Sequence, residues 1–210
     1  TDLGTLGGSF SQAWALNDHG QVTGVSTLAN GQVRAFLYSG TAMIDLGTLG
    51  GQSSFASGVN DLGQVVGRAT LANGQERAFL FDGVTMQNLG TLGGSFSQAY
   101  SVNDSGQVTG ASTIADGSSR AFTWDGSSLA NLGTLGGPFS FGYAINNLGQ
   151  ITGVSAIANG QQRGFFWDGA SLQALPTLGG SVSAGIAIND AGRIVGTSSL
   201  ANEQFRAFLW

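Results

Sequence analysis

The chain has no cysteine, no lysine, one histidine and two prolines in 210 residues. Without cysteine there are no disulfides, no thiolate metal ligands and no thiol nucleophile. Seven arginines stand against twelve acidic residues, for a net charge of −5. Phosphate binding needs clustered cations, so a nucleic-acid partner is excluded. Charged residues amount to 9%, against roughly 25% in ordinary domains. No apolar run approaches the ~20 residues of a membrane-spanning helix, so no membrane insertion is expected. No stretch shows helical periodicity.

What the chain does have is glycine, 36 residues of it, and a period. The segment Leu-Gly-Thr-Leu-Gly-Gly starts at Leu3, Leu46, Leu89 and Leu132, and returns as Leu-Pro-Thr-Leu-Gly-Gly at Leu175. The period is 43 residues, and the repeats begin at positions 2, 45, 88, 131 and 174. Repeats of this length mean a solenoid, a propeller or an array. Hydrophobic residues make up 41%, which is enough to bury a core. The glycines fall at fixed places in each unit, where they mark turns and close backbone approaches.

One unit reads as four short strands. Ala13 to Asn17 alternates large and small residues, a strand signal. Asn-Asp-x-Gly follows at Asn17, Asn60, Asn103 and Asn189, and Asn-Asn-Leu-Gly at Asn146; Asn, Asp and Gly are turn formers. A second strand, Gln21 to Thr27, has a central glycine at Gly24 and at its equivalents, which suggests a bulge or a close backbone neighbour. The third strand is Arg34 to Tyr38, and a short hairpin (Asp82-Gly83, Asp125-Gly126, Asp168-Gly169) leads to a fourth at about Met43 to Leu49. Few charges lie on either face, so both faces should be buried between like neighbours. These features predict an all-β fold: a five-bladed β-propeller spanning 1–210 as one domain, with four antiparallel strands per blade. The chain starts in a fourth-strand segment and ends in a third strand. The expectation is therefore that strand 1–6 pairs antiparallel with strand 206–210, Phe208 opposite Asp2, and closes the ring. A monomer is expected.

Chemistry is sparse. His19 stands in one turn only and reads as a solvated loop residue. Asp18, Asp61, Asp104 and Asp190 recur once per unit, with Asn147 in the fourth; repetition points to turn-forming side chains rather than metal ligands. No cofactor, metal site or catalytic residue is expected. A glycosidase would need two carboxylates facing across a sugar, and nothing singles out such a pair. Arg34, Arg77, Arg120, Arg163 and Arg206 recur too. They are expected to bind carbonyls of the neighbouring Leu-Gly-Thr-Leu-Gly-Gly segment, in preference to forming a cationic ring for a ligand. Trp124, Trp167 and Trp210, with Tyr38 and Phe81, share one third-strand position and should pack between units.

Positions where the units disagree are the better candidates for a site. Phe10 and Gln12, Phe55, Phe96 and Gln98, and Phe139 and Phe141 lie between the Gly-Gly pair and the first strand. Trp14, Tyr100 and Tyr143 open that strand, where other units have Ser57 and Ile186. The segment reads as a connection between one outer strand and the next inner strand. Aromatic rings beside amides suit stacking on sugars or gripping a peptide; the competing reading is that the rings wedge between units.

The combined signature resembles the HAF repeats of bacterial extracellular proteins: Asn-Asp-x-Gly-Gln-Val-x-Gly, then Arg-Ala-Phe-Leu-Trp, then Leu-Gly-Thr-Leu-Gly-Gly. Arg replaces the family's His at Arg34-Ala35-Phe36 and in the other four units. The resemblance implies a secreted or cell-surface bacterial propeller and carries over no catalytic residues. The leading expectation is a non-catalytic extracellular binding module, in one version lectin-like with repeated pockets, with a glycan or a protein surface as partner. A structural, recently amplified or engineered scaffold without a small ligand is the alternative, and a carbohydrate-active enzyme a more distant one.

Overall fold

The computed structural model describes residues 1–210. The repeat folds into five antiparallel sheets, or blades, with no helix. Blade 1 contains β1 (Gly7–Leu16), β2 (Val22–Leu28), β3 (Val33–Tyr38) and β4 (Met43–Asp45). Blade 2 contains β5 (Gly50–Val59), β6 (Val65–Leu71), β7 (Glu76–Phe81) and β8 (Met86–Gly90). Blade 3 contains β9 (Gly93–Val102), β10 (Val108–Ile114), β11 (Ser119–Trp124) and β12 (Leu129–Asn131). Blade 4 contains β13 (Gly136–Ile145), β14 (Ile151–Ile157), β15 (Gln162–Trp167) and β16 (Leu172–Ala174). Blade 5 has three strands, β17 (Gly179–Ile188), β18 (Ile194–Leu200) and β19 (Phe205–Leu209). In every blade the strands pair in sequence order.

Local chemistry explains the blade. In the first turn Asn17 Oδ1 accepts the amides of His19 and Gln21, and Gly20 sits at φ 76° and closes the turn on the Asn17 carbonyl. The mid-strand glycine sits beside a bulge in its partner: β1 slips register between Ala13 and Ala15, opposite Gly24. A Cβ on Gly24 would overlap the Gln12 carbonyl, so the sheet cannot close there with any other residue.

The inner strand is longer than the sequence pattern suggests. It starts at Gly7, Gly50, Gly93, Gly136 and Gly179, so Phe10, Gln12, Phe55 and their equivalents are strand residues and not a connection. The first glycine of each pair turns the chain at positive φ. The second already lies against the neighbouring strand: a Cβ on Gly51 would meet Thr70 Oγ1 and the Leu71 carbonyl. The fourth strand is correspondingly short, and ends at Asp45 in blade 1 instead of running to Leu49.

The core lies between blades. Val66, Leu80 and Leu89 of blade 2 pack with Val102, Val108, Phe122 and Trp124 of blade 3. Ala35, Leu37 and Leu46 pack in the same way with Ala56, Val65 and Phe79, and Ala121 with Ile145, Ile151 and Phe165. Hydrogen bonds repeat across each junction. The Ala35, Ala78, Ala121 and Gly164 amides donate to the hydroxyls of Ser54, Ser97, Ser140 and Ser183 (2.9–3.0 Å). Asn17, Asn60, Asn103 and Asn146 each donate through Nδ2 to the carbonyl of the equivalent Asn one blade on (2.8–2.9 Å). The guanidinium of Arg77 donates to the Ser95 carbonyl (2.6 Å) and that of Arg120 to Pro138 (2.8 Å); Arg34 and Arg163 reach Gln52 and Ser181. These carbonyls follow the Gly-Gly pair directly, so the repeated arginines hold blades together, as expected, one residue beyond the segment anticipated.

The expected ring closure is not formed. Residues 1–5 pair with no strand, and Leu6 bridges only to Leu28 of its own blade. β19 is the free edge of a three-stranded sheet. The reason lies between the blades: each packs on the next, and this packing does not bring blade 5 against blade 1. The first segment lies on its own blade as its equivalents do on theirs: Ser11 Oγ donates to the Gly4 carbonyl (2.7 Å) and the Leu6 amide to Ser26 Oγ (2.9 Å), like Ser54 to Gly47 and Leu92 to Ser112. The result is an open five-bladed arc.

Candidate ligand-binding site

Along each inner strand small residues alternate with variable ones. Ser54 and Ala56, like Ser97 and Ala99, are buried against the preceding blade. The residues between them, Phe55, Phe96, Gln98, Tyr100, Phe139, Phe141 and Tyr143, are half-buried. In blades 2 to 4 these positions join into a strip. The Arg68 guanidinium lies over the Phe55 ring, 4.4 Å from its centroid. It also donates to Glu76 (2.9 Å) and, across the junction, to Gln98 Oε1 (3.0 Å). Tyr100 meets Tyr143 of the next blade edge to face, with centroids 5.7 Å apart. Tyr143 stacks on Phe141 with centroids 6.4 Å apart, and Phe141 meets Phe139 at a tilt of 47°, 5.5 Å apart. The contacts are those of ordinary aromatic pairs.

Burial raises the Tyr100 phenol above its ordinary value of 10.0; Tyr143 beside it adds to this, and Arg68 opposes it. Burial raises Tyr143 as well. Both are therefore neutral hydroxyls at neutral pH, each able to donate and accept.

The other sequence candidates stand apart. Phe10, Gln12 and Trp14 lie on β1 and are exposed, and Trp14 lines a shallow hollow with Leu3 and Leu16. They do not join the strip. Arg68 was not foreseen as part of the site, although its signal was legible. It is a lone charge inside a second strand, where the other blades have Val25, Ala111, Val154 and Thr197.

A second feature is polar. The five inner turns surround a cavity of about 240 Å³ lined by Asn17, Asn60, Asn103 and Asn146 with Asp18, Asp61, Asp104, Asn147 and Asp190. The Asp18 amide donates to the Asp61 side chain, and likewise Asp61 to Asp104, Asp104 to Asn147 and Asn147 to Asp190 (2.8–3.0 Å). Asp61, Asp104, Asn147 and Asp190 thus each cap the turn of the preceding blade. His19 is exposed, 3.8 Å from Asp61. No group of three or more His, Asp or Glu side chains is disposed to hold a metal ion, and Glu76 is neutralised by Arg68.

No protein-family model matches this sequence, and no curated protein matches it. Solved structures do. TolB from Acinetobacter baumannii superposes with a TM-score of 0.60 at 17% identity over 94% of this chain and 53% of that one. A putative TolB from Agrobacterium tumefaciens gives 0.57 at 12% identity, over 90% and 69%. The SapL1 lectin, solved with alpha methyl fucoside, gives 0.48 at 15% identity, over 94% and 80%. The chain spans about half the length of the Acinetobacter TolB. At these identities the likeness concerns the fold: an all-β arrangement of propeller-type blades.

Proposed function

We propose that this chain is a non-catalytic binding module of the HAF-repeat type, acting outside the cell, and that its inter-blade strip takes a neutral carbohydrate. The observation that carries the reading is the run from Phe55 and Arg68 through Gln98 to Tyr100, Tyr143 and Phe141. It lies at positions where the blades differ, so the repeat itself does not require these residues. Half-buried rings offer flat apolar faces to the C–H face of a sugar, while Gln98 and the two phenols offer donors and acceptors to its hydroxyls. Neutral sugars fit better than acidic ones. Arg68 is already paired with Glu76, and the chain is acidic overall. An enzymatic reading finds less support, because the carboxylates of the inner turns cap backbone amides.

The sister blades supply substitutions that the fold already accommodates: Ser57 stands where Tyr100 and Tyr143 do, and Ala111 where Arg68 does. Calorimetry against sugars selected on a glycan array should show binding that falls about tenfold or more, a loss of roughly 1.4 kcal/mol, in Tyr143→Ser and in Arg68→Ala, with melting curves little changed. Absence of binding to every neutral glycan, or variants that bind as the parent does, would refute the assignment.

A further inference from the structure

Blade 2 departs from its sisters at several positions that meet in one place. Gln52 stands where the others have Ser9, Ser95, Pro138 and Ser181, and Ser53 where they have Phe10, Phe96, Phe139 and Val182. Arg68 and Glu76 are likewise found in this blade alone. At Ser53, where three sisters carry a phenyl ring, blade 2 has a hollow of about 380 Å³ lined by Gln52, Ser53, Thr70, Leu71 and Ala72. No other blade has a hollow at the equivalent place. The backbone around it is tied down. Thr70 Oγ1 accepts the Ser53 amide (2.9 Å) and donates to the Ser53 carbonyl (3.1 Å), and the Gln52 carbonyl accepts the Arg34 guanidinium. The Ser53 hydroxyl and the Gln52 side-chain amide take no part in these bonds and are open to a ligand. The hollow also adjoins the aromatic strip. Ser53 and Phe55 are two residues apart on β5, so their side chains share one face of the strand, about 7 Å apart. On the next strands Arg68 lies opposite Phe55, and Thr70 opposite Glu76.

We propose, resting on the carbohydrate reading of the strip, that the hollow at Ser53 is a further subsite and that its occupant is an additional sugar unit of a neutral oligosaccharide. A pyranose is close in size to the phenyl ring that Phe96 and Phe139 bring to this position. The walls supply what such a unit needs. Leu71 and Ala72 offer apolar contact, while the Ser53 hydroxyl and the Gln52 amide offer donors and acceptors to its hydroxyls. An aromatic side chain of a peptide would leave those polar groups covered and unpaired. A charged sugar would find no free counter-charge, because Arg68 and Glu76 neutralise each other. The bound chain places one unit at Ser53 and the next over Phe55 and Arg68, and runs on toward Gln98 across the junction. Recognition is therefore of chain length: a monosaccharide fills one subsite, and a trisaccharide spans the hollow and the strip. Because the sister blades carry Phe or Val in place of Ser53, the chain has one such site and not one in each blade.

Calorimetry with cello-, malto- and manno-oligosaccharides, from mono- to pentasaccharide, reads chain length directly. In a series that binds, affinity for the parent should rise tenfold or more between the monosaccharide and the trisaccharide. Ser53→Phe gives blade 2 the ring of its sisters. It should erase that gain, so that trisaccharide and monosaccharide bind alike, with a melting temperature equal to the parent's or higher. Gln52→Ser changes an exposed side chain to the residue of blades 1, 3 and 5. It should lower trisaccharide affinity several-fold, and it decides the question if Ser53→Phe folds poorly. Affinity independent of chain length in the parent, or a length gain that survives both substitutions, would overturn the subsite and leave sugar binding by the strip standing. A parent that binds no member of any series would overturn the subsite and the strip together.

Discussion

Blades 3 and 5 carry nearly the same pattern of residues and differ in what surrounds them. Trp124 is 5% exposed and its counterpart Trp210 is 44%, although both hold the same position in the repeat. Asn103 is buried and donates to the Asn146 carbonyl, whereas Asn189 is exposed and has no such acceptor. The strand pairing inside the two blades is the same up to the missing fourth strand. The comparison teaches that a blade determines its own hydrogen-bonded sheet but not its own core. The core is assembled by the neighbour on each side, and an end blade has one neighbour fewer.

Two pairs of substitutions test that contrast. The largest effect should come from Phe122→Ala. Phe122 is fully buried in the junction of blades 2 and 3, so its loss should cost about 3–5 kcal/mol in denaturant melts. The equivalent Phe208→Ala, at the open edge, should cost roughly half of that or less. Equal losses would mean that blade 5 is as well covered as blade 3. Next, Asn103→Ala removes one donor to Asn146 and one to Gln107, and strips the amides of Ser105 and Gln107 of their acceptor. A cost of about 1–3 kcal/mol follows. Asn189→Ala should cost clearly less, because only turn amides lose a partner and these reach water.

The smallest effect concerns alkaline pH. Tyr100 and Tyr143 are raised because burial at the junction of blades 3 and 4 disfavours the phenolate. The folded value lies above the unfolded one, so the stabilisation is complete below about pH 10 and is lost as pH rises through the folded value. Melting temperature should therefore drop faster above pH 10 in the parent than in a Tyr100→Ser, Tyr143→Ser double variant. A phenolate absorbance titration with every tyrosine ionising at its ordinary value would contradict the burial argument.

Much of the blade was legible in the sequence because it depends on local chemistry. Asn-Asp-x-Gly turns, a mid-strand glycine opposite a bulge and arginines that seek carbonyls are read residue by residue. Ring closure was not legible. The angle between blades is a sum of small packing choices at positions such as Ala35 and Ala56, and no single residue announces it. The start of the inner strand was hidden because Gly50-Gly51 looks like a break, whereas Gly50 turns at positive φ and already pairs with Leu71, and Gly51 lies close against Thr70. The site was half legible. The aromatic positions were visible as variation between units, but the contacts that join them run through Arg68, which belongs to a different strand.

The asparagine ladder has a bearing on how such a chain changes over generations. Every junction makes the same request, an amide from one Asn to the carbonyl of the Asn 43 residues on. A gene spliced between equivalent points of two units would gain or lose a whole blade, and every remaining junction would find the partner it had before. Point changes at these asparagines are costly, while unequal recombination between the units is almost free. The array is therefore easier to lengthen or shorten than to alter in its interior. Novelty is left to positions like that of Arg68, where one blade departs from its sisters without touching the ladder.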